Sequence, residues 1–196
     1  MNDLPATVKT GVFAVLLTLM LATRFHYFGS ALHLPDASMA VFFLGGIYLR
    51  RHAAFIAFMA LAIAIDYVAI VARGLSFFER YCATPSYAFL LLAYAVLWYV
   101  GRMYAPRMAA TGRSVAVALG LGLIASCVSF LISNGAFYWL GQRYPDPNLA
   151  QYLSRLWQWG PLFVRASMIY IAVGFLVHAL IARVVYARSG GSQARV

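Results

Sequence analysis

The sequence predicts an all-α, polytopic membrane protein built as a bundle of six transmembrane helices. Of its 196 residues, 64% are hydrophobic and only 10% are charged, which leaves too few polar groups to cover the surface of a water-soluble protein. The apolar residues gather in runs close to the ~20 residues that a helix needs to cross a hydrocarbon core. The basic residues lie at the ends of those runs, so the net charge of +10 indicates membrane topology and not a nucleic-acid partner.

The predicted spans follow one another in a single membrane domain, 1–188, with a disordered tail, 189–196. In order, the spans are 8–28, 36–50, 53–72, 85–104, 114–134 and 161–186. We interpret the first as a retained span. The apolar run from Gly11 leads into Arg24 without the small-residue cleavage site of a signal peptide.

The second span is the shortest. Between Pro35 and Arg50 the chain is barely long enough to cross, so a tilted short helix, a broken helix extended by 29–34 and a re-entrant segment are all open. The alternation of charge favours a crossing. Both termini then lie on the side with nine basic residues and one acid, against six basic residues and three acids opposite. The positive-inside rule places that side in the cytoplasm.

With this topology, the connections 29–36, 73–84 and 135–160 face outward. The last is the longest. Within it, Asn148 to Trp159 has apolar residues on one side and predicts a short amphipathic helix that lies at the interface as a lid.

Cys82 is the first candidate for chemistry. It lies directly before the span 85–104, where Thr84 can cap the helix and Pro85 can start it. The helix dipole and nearby Arg80 both favour a thiolate, which is a nucleophile and a soft metal ligand. The alternative is a small residue packed beneath a loop. Cys127 falls in the middle of an apolar span, so we expect it to serve packing and expect no structural disulfide.

Asp66 is the second candidate, because it interrupts the third span. Counted from Arg51, it lies about 20 Å along the helix, in the outer half of the membrane. A charged residue at that depth costs on the order of 3 kcal/mol and usually faces a cavity or a partner. Three roles are consistent with the position: a ligand site, a structural hydrogen bond to a neighbouring helix, and a buried pair with an arginine.

Other polar and aromatic residues lie at the predicted outer face. His26 and His33 flank the first outward connection and offer imidazoles for metal ligation or polar recognition, although a solvated interfacial histidine is the alternative. Arg155 offers a cation to an anionic ligand group. Aromatic side chains that could wall a flat ligand, or simply belt the membrane interfaces, are Tyr81, Tyr87, Tyr152, Trp157 and Trp159.

Four fragments carry a family resemblance: Arg24-Phe25-His26-Tyr27-Phe28, Leu34-Pro35-Asp36-Ala37-Ser38, Asp66-Tyr67, and Tyr81-Cys82-Ala83-Thr84-Pro85-Ser86-Tyr87. With the length and the six spans, they resemble the BtuM family, small cobalamin-uptake proteins of Gram-negative bacteria. That family is related to the S-components of energy-coupling factor (ECF) transporters.

The resemblance implies a multi-pass protein of the bacterial inner membrane that binds and takes up cobalamin. It also implies that Cys82 is an axial ligand of the cobalt in base-off cobalamin and could assist decyanation of cyanocobalamin. A soft thiolate has the chemistry for both roles. Small residues on the first helix, Ala14, Thr18 and Ala22, would then meet an ECF coupling subunit. The chain has no nucleotide-binding loop, so active uptake would need partner ATPases.

Two other functions use the same residues. In a membrane-embedded thiol enzyme of the sortase-like transpeptidase kind, Cys82 is the nucleophile, His26 or His33 its base and Arg155 a clamp for an oxyanion or carboxylate. In an S-component for another vitamin, such as a flavin or thiamine, Cys82 is dispensable.

Overall fold

The computed structural model of the protein describes residues 5–24, 34–72, 74, 76, 85–109, 111–141 and 144–193. These residues form helices and no strand, so the predicted all-α fold is confirmed for this part of the chain. The helices are α1 (Ala6–Arg24), α2 (Ser38–Tyr48), α3 (His52–Val71), α4 (Pro85–Tyr104), α5 (Gly112–Trp139) and α6 (Leu149–Gln193). A single 3-10 turn, Ala105–Arg107, follows α4.

Five of these helices, all except α2, are long and apolar enough to cross a membrane. In their most apolar windows, between 17% and 39% of the residues are buried inside the protein. Most residues in these apolar windows are therefore at least partly exposed, which water would penalise and a bilayer accommodates. The architecture is that of a membrane-embedded helical bundle.

Helix α2 forms the centre of this bundle. It has 11 residues, of which nine are buried, and it packs against all five of the other helices. At about 1.5 Å per residue it is roughly 16 Å long, about half of a hydrocarbon core. Within the predicted span 36–50, the structure thus has a short helix, Ser38–Tyr48, with non-helical residues on both sides.

The direction of α2 divides the bundle into two ends. Its first residues meet the last turn of α1, where the backbone N–H of Ala37 donates to Thr23 Oγ1 at 3.1 Å. Its other end leads through Arg51 into the start of α3. We call the first the Arg24 end and the second the His52 end. Asp66 lies 14 residues after His52, so the helical rise separates these two levels by about 21 Å.

Glycines let α2 and α4 approach closely. A Cβ atom added to Gly46 would lie under 3.0 Å from the backbone of Trp98, and one added to Gly101 under 3.0 Å from the carbonyl oxygen of Phe43. Such small residues allow membrane helices to pack backbone against backbone. This contact holds α4 parallel to α2, with the Tyr94 ring stacked on Phe42 at 4.3 Å.

Helix α6 differs from the prediction. A separate lid helix over 148–159 is wrong, because the chain is one continuous helix of 45 residues that includes Pro161. The proline removes one N–H donor, yet a single missing bond does not interrupt a membrane helix that neighbours support. The helix reaches Gln193, beyond the predicted start of the tail at 189, and 194–196 lie outside the described residues.

Candidate functional site

Arg24, the last residue of α1, organises a polar network inside the bundle. Its side chain is only 9% exposed. The guanidinium forms a two-pronged ion pair with Asp66 of α3, in which Nε donates to Oδ1 at 2.8 Å and Nη2 donates to Oδ2 at 2.6 Å. This planar match between guanidinium and carboxylate is the strongest pairing geometry available to an arginine.

The remaining prong of Arg24 reaches two more helices. Nη1 donates to Ser38 Oγ at the start of α2 at 2.9 Å and to the Tyr94 hydroxyl of α4 at 2.7 Å. The Asp36 carboxylate lies 3.6 Å from the same nitrogen and accepts hydrogen bonds from the backbone N–H and the hydroxyl of Ser38. One guanidinium thus ties together the ends of α1 and α3 and the beginning of α2.

Tyr87 completes the network from the first turn of α4, where its hydroxyl donates to Asp66 Oδ2 at 3.1 Å. We define the Arg24 network by its six members: Arg24, Asp36, Ser38, Asp66, Tyr87 and Tyr94. Its two carboxylates are 30% and 24% exposed, whereas the guanidinium between them is buried. The carboxylate side is therefore the accessible side.

The network explains how charges are tolerated at this depth. A charge placed alone in a low-dielectric interior costs several kcal/mol, and removing one member of a buried pair costs about 3–5 kcal/mol because the other is left uncompensated. Arg24 is compensated by hydrogen bonds on all three of its nitrogens and by two carboxylates. The network therefore holds the carboxylate oxygens of Asp36 and Asp66 in fixed positions, where they can accept hydrogen bonds.

The predicted site residues divide into three groups. Asp66 and Tyr87 meet in the Arg24 network, and among the roles considered for Asp66 the pair with an arginine is observed. Arg155 lies on α6 outside the network. His26, His33, Tyr81 and Cys82 lie outside the described residues.

Arg155 belongs instead to an aromatic cluster at the Arg24 end of α5 and α6. Its guanidinium carbon lies 5.1 Å from the centre of the Tyr144 ring, and its buried Nε has no hydrogen-bond partner among the described residues. Tyr144 packs on Tyr138, which stacks on Tyr152 at 5.2 Å. The cluster therefore includes one of the predicted wall residues, Tyr152.

The two predicted tryptophans behave differently. Trp157 is 84% exposed and Trp159 is 39% exposed, so both present much of their surface outside the bundle. That exposure is typical of interfacial tryptophans.

An apolar groove between α4 and α5, of about 320 Å³, offers a ligand almost no polar group. It is lined by Phe89, Leu92, Ile132, Gly135, Ala136, Trp139 and Leu140.

Four network members were not selected as site residues from the sequence: Arg24, Asp36, Ser38 and Tyr94. Arg24 was assigned to topology, since a basic residue at the end of a span usually has that role. Its pairing with Asp66 joins residues 42 positions apart, which no local pattern reveals. One available signal was that an intramembrane acid needs a partner, and Arg24 is a base at a span end.

Comparison with known protein families finds no family model that matches the chain, and comparison with curated proteins finds no match. Within the described residues, no three His, Cys, Asp or Glu side chains are arranged to hold a metal ion. The resemblance to the BtuM family stays a prediction, and its predicted cobalt ligand, Cys82, lies outside the described residues.

Proposed function

We propose that this chain is a cobalamin-binding transport protein of the bacterial inner membrane, with the six-helix architecture of an ECF S-component. Base-off cobalamin is the transported ligand, and Cys82 supplies a thiolate to its cobalt. The Arg24 network and the aromatic cluster contact the organic part of the ligand.

One observation carries the proposal. The four sequence fragments that resemble the BtuM family are scattered over about a third of the chain, yet each contributes a side chain to the same network. Arg24, Asp36, Asp66 and Tyr87 represent them, in that order. Convergence of this kind supports a shared ligand site, because fragments that serve only membrane insertion have no reason to meet in one polar array.

The position of Cys82 in the chain agrees with this site. It precedes Pro85, the first residue of α4, by three positions, and α4 begins at the Arg24 end. Tyr87, in the same fragment, bonds Asp66 directly. A ligand bound over the carboxylates would thus meet Tyr87, which follows the Cys82 thiol by five positions in the sequence.

Helix α6 supplies a wall beside the network. The Tyr170 hydroxyl donates to the carbonyl oxygen of Pro35 at 2.9 Å, and Leu149 lies 21 residues earlier. About 30 Å of α6, with Tyr152 and Arg155, therefore extends past that bond, beyond the Arg24 end of α2. We assign Arg155 and the aromatic cluster to this wall, while the carboxylates accept hydrogen bonds from the amide side chains of a corrin ring.

The thiolate has a chemical consequence as well. Electron donation from sulfur into cobalt weakens the bond to the axial group opposite. In cyanocobalamin that group is cyanide, which would leave as the anion with the bonding electron pair. Decyanation is an accompanying activity in this proposal.

The topology follows from the two ends of the bundle. If the segment 36–50 carries the chain from one face to the other, the six passes leave both termini in the cytoplasm, at the basic His52 end. The chain would take its energy from an ECF coupling subunit with its ATPases, met through α1, where Ala14 and Thr18 are exposed.

Absorption spectroscopy tests the proposal. Purified protein incubated with cobalamin and washed should be coloured, with a spectrum that reports sulfur on cobalt. Cys82→Ala should lose that spectrum. Cys127→Ala is the matched control, because it removes the other cysteine, exposed on the outer surface of α5, and should leave the spectrum intact.

Two results would contradict the proposal. A colourless wild-type protein would exclude cobalamin as the ligand, and an unchanged spectrum in Cys82→Ala would exclude the cobalt–sulfur bond. Growth of a cobalamin-dependent bacterial strain on limiting vitamin, with and without this chain, tests transport separately.

A further inference from the structure

At the opposite end of the bundle, basic side chains gather between the start of α3 and the end of α4. His52, the first residue of α3, is exposed and meets two side chains of α4. The Tyr99 hydroxyl lies 3.0 Å from His52 Nδ1, and Arg102 Nη1 lies 2.5 Å from His52 Nε2. Arg51, next to His52, is also exposed. We call Arg51, His52, Tyr99 and Arg102 the basic cleft.

His52 does not neutralise Arg102. A guanidinium can only donate hydrogen bonds and keeps its charge at any physiological pH, so the imidazole facing it acts as an acceptor without negative charge. The described acids are Asp36, Asp66 and Asp146, all on the Arg24 side of the bundle. The basic cleft therefore combines two guanidinium groups with no carboxylate from the described part of the chain.

The cleft continues into an apolar surface. The ring of Phe55, one turn into α3, lies 6.1 Å from Tyr99 and 5.6 Å from Trp98. Ile56, one turn from His52, is 63% exposed. A molecule with a charged head and apolar chains would meet complementary groups in that order along α3.

The level of the basic cleft in the membrane indicates which kind of anion it would bind. Both α3 and α4 are long enough to span the bilayer, and the cleft lies at one end of each. The ends of spanning helices lie at the level of the lipid headgroups, and basic pockets between such helices are suited to anionic headgroups. Arginine presents a fork that matches two phosphate oxygens.

We propose that the basic cleft binds the phosphate of an anionic phospholipid, with Arg51 and Arg102 on the phosphate and the acyl chains along Phe55 and Ile56. This site is separate from the proposed cobalamin site and does not depend on it. Its role would be to anchor the His52 ends of α3 and α4 to the anionic leaflet.

Lipid-binding measurements test this site. The protein is reconstituted in nanodiscs of phosphatidylcholine alone or mixed with phosphatidylglycerol, and retained lipid is counted by native mass spectrometry. We expect phosphatidylglycerol to be retained preferentially. Arg102→Gln should weaken its retention about five-fold, which corresponds to the roughly 1 kcal/mol that a basic residue contributes near an anionic surface.

Arg113→Gln is the matched control, because Arg113 is an exposed basic residue at the same end but on α5. It should reduce retention much less than Arg102→Gln. Arg51→Gln provides a second variant of the cleft, and a thermal unfolding curve for each variant shows that the bundle remains folded. If Arg102→Gln does not fold, Arg51→Gln alone decides the comparison.

Three results would overturn the proposal. They are equal retention of the two lipids by the wild type, equal losses for cleft and control variants, and complete displacement of phosphatidylglycerol by glycerol phosphate. The last result would identify a site for a soluble phosphate rather than for a lipid.

Discussion

At the residue scale, the central feature is that a buried arginine holds its carboxylate partners in fixed positions. Arg24 makes four hydrogen bonds to three helices, so no single helix determines its position. Asp66 can therefore have two roles, one toward Arg24 and one toward a ligand. It compensates Arg24 on one side and remains 24% exposed on the other.

Asp66→Asn should destabilise the protein, because Arg24 would lose its two-pronged ionic partner while staying buried. We expect a loss of about 3 kcal/mol, at the lower end of the range for broken buried pairs because Asp36 remains nearby. Thermal unfolding in detergent measures it. Asp146→Asn, an acid in the exposed connection before α6, is the control and should change stability little. Equal unfolding temperatures for the two variants would contradict the role given to Asp66.

The two network tyrosines should separate stability from ligand binding. Tyr94→Phe removes a buried hydroxyl that accepts from Arg24, and we expect it to cost about 1.5–3 kcal/mol, as for other hydrogen bonds to charged groups. Tyr87→Phe removes a donor at the accessible side, so its main effect should be on cobalamin affinity. Unfolding and ligand titration of both variants give the comparison. The reverse pattern would place the ligand elsewhere.

At the element scale, α2 is defined by its contacts more than by its length. It is too short to cross a bilayer as a helix, yet among the described helices it is the most buried, and the other five pack on it. Its close contact with α4 depends on glycines, because a residue without a side chain lets the two helix backbones approach each other.

Gly46→Ala tests this contact. The added methyl group would overlap the backbone of Trp98, which cannot move without shifting α4, so we expect a loss of about 1–3 kcal/mol or more, the usual cost of overpacking. Gly11→Ala in α1 and Gly120→Ala in α5 are controls, since the new atom would meet nothing within 4 Å at either site. Unfolding curves that show the same change in all three variants would exclude close packing of α2 as the cause.

At the scale of the whole molecule, the charges of the described residues are arranged asymmetrically. The acids lie on the Arg24 side, whereas a set of basic residues occupies the His52 side: Lys9, Arg50, Arg51, Arg102, Arg107, Arg113 and Arg183. By the positive-inside rule, this pattern predicts that the His52 side faces the cytoplasm and the Arg24 network faces outward.

Labelling with a membrane-impermeant thiol reagent tests both the orientation and the crossing by segment 36–50. In a background with Cys82→Ala and Cys127→Ala, we introduce Leu34→Cys or Arg51→Cys, at exposed positions on either side of α2. Leu34→Cys should react in intact cells, and Arg51→Cys only after the membrane is permeabilised. Labelling of both positions from the same side would mean that this segment is re-entrant.

The sequence by itself was enough to predict that the protein lies in a membrane and that its fold is all-α. Long apolar runs with basic residues at their ends can be satisfied only by helices in a bilayer, because backbone polar groups must be paired where water is absent. It also selected Asp66, as an acid within a span, and Tyr87, as one of several aromatic residues at the predicted outer face. The short second segment was recognisable from its length alone.

Only the tertiary structure decided what those residues do together. The pairing of Arg24 with Asp66, the burial of α2 and the continuity of α6 through Pro161 depend on contacts between segments far apart in the chain. Local sequence patterns reflect whether a segment lies in water or in lipid, whereas these features depend on the contacts between one helix and another. The Arg24 network exists because four helices bring their polar residues to one level of the bundle.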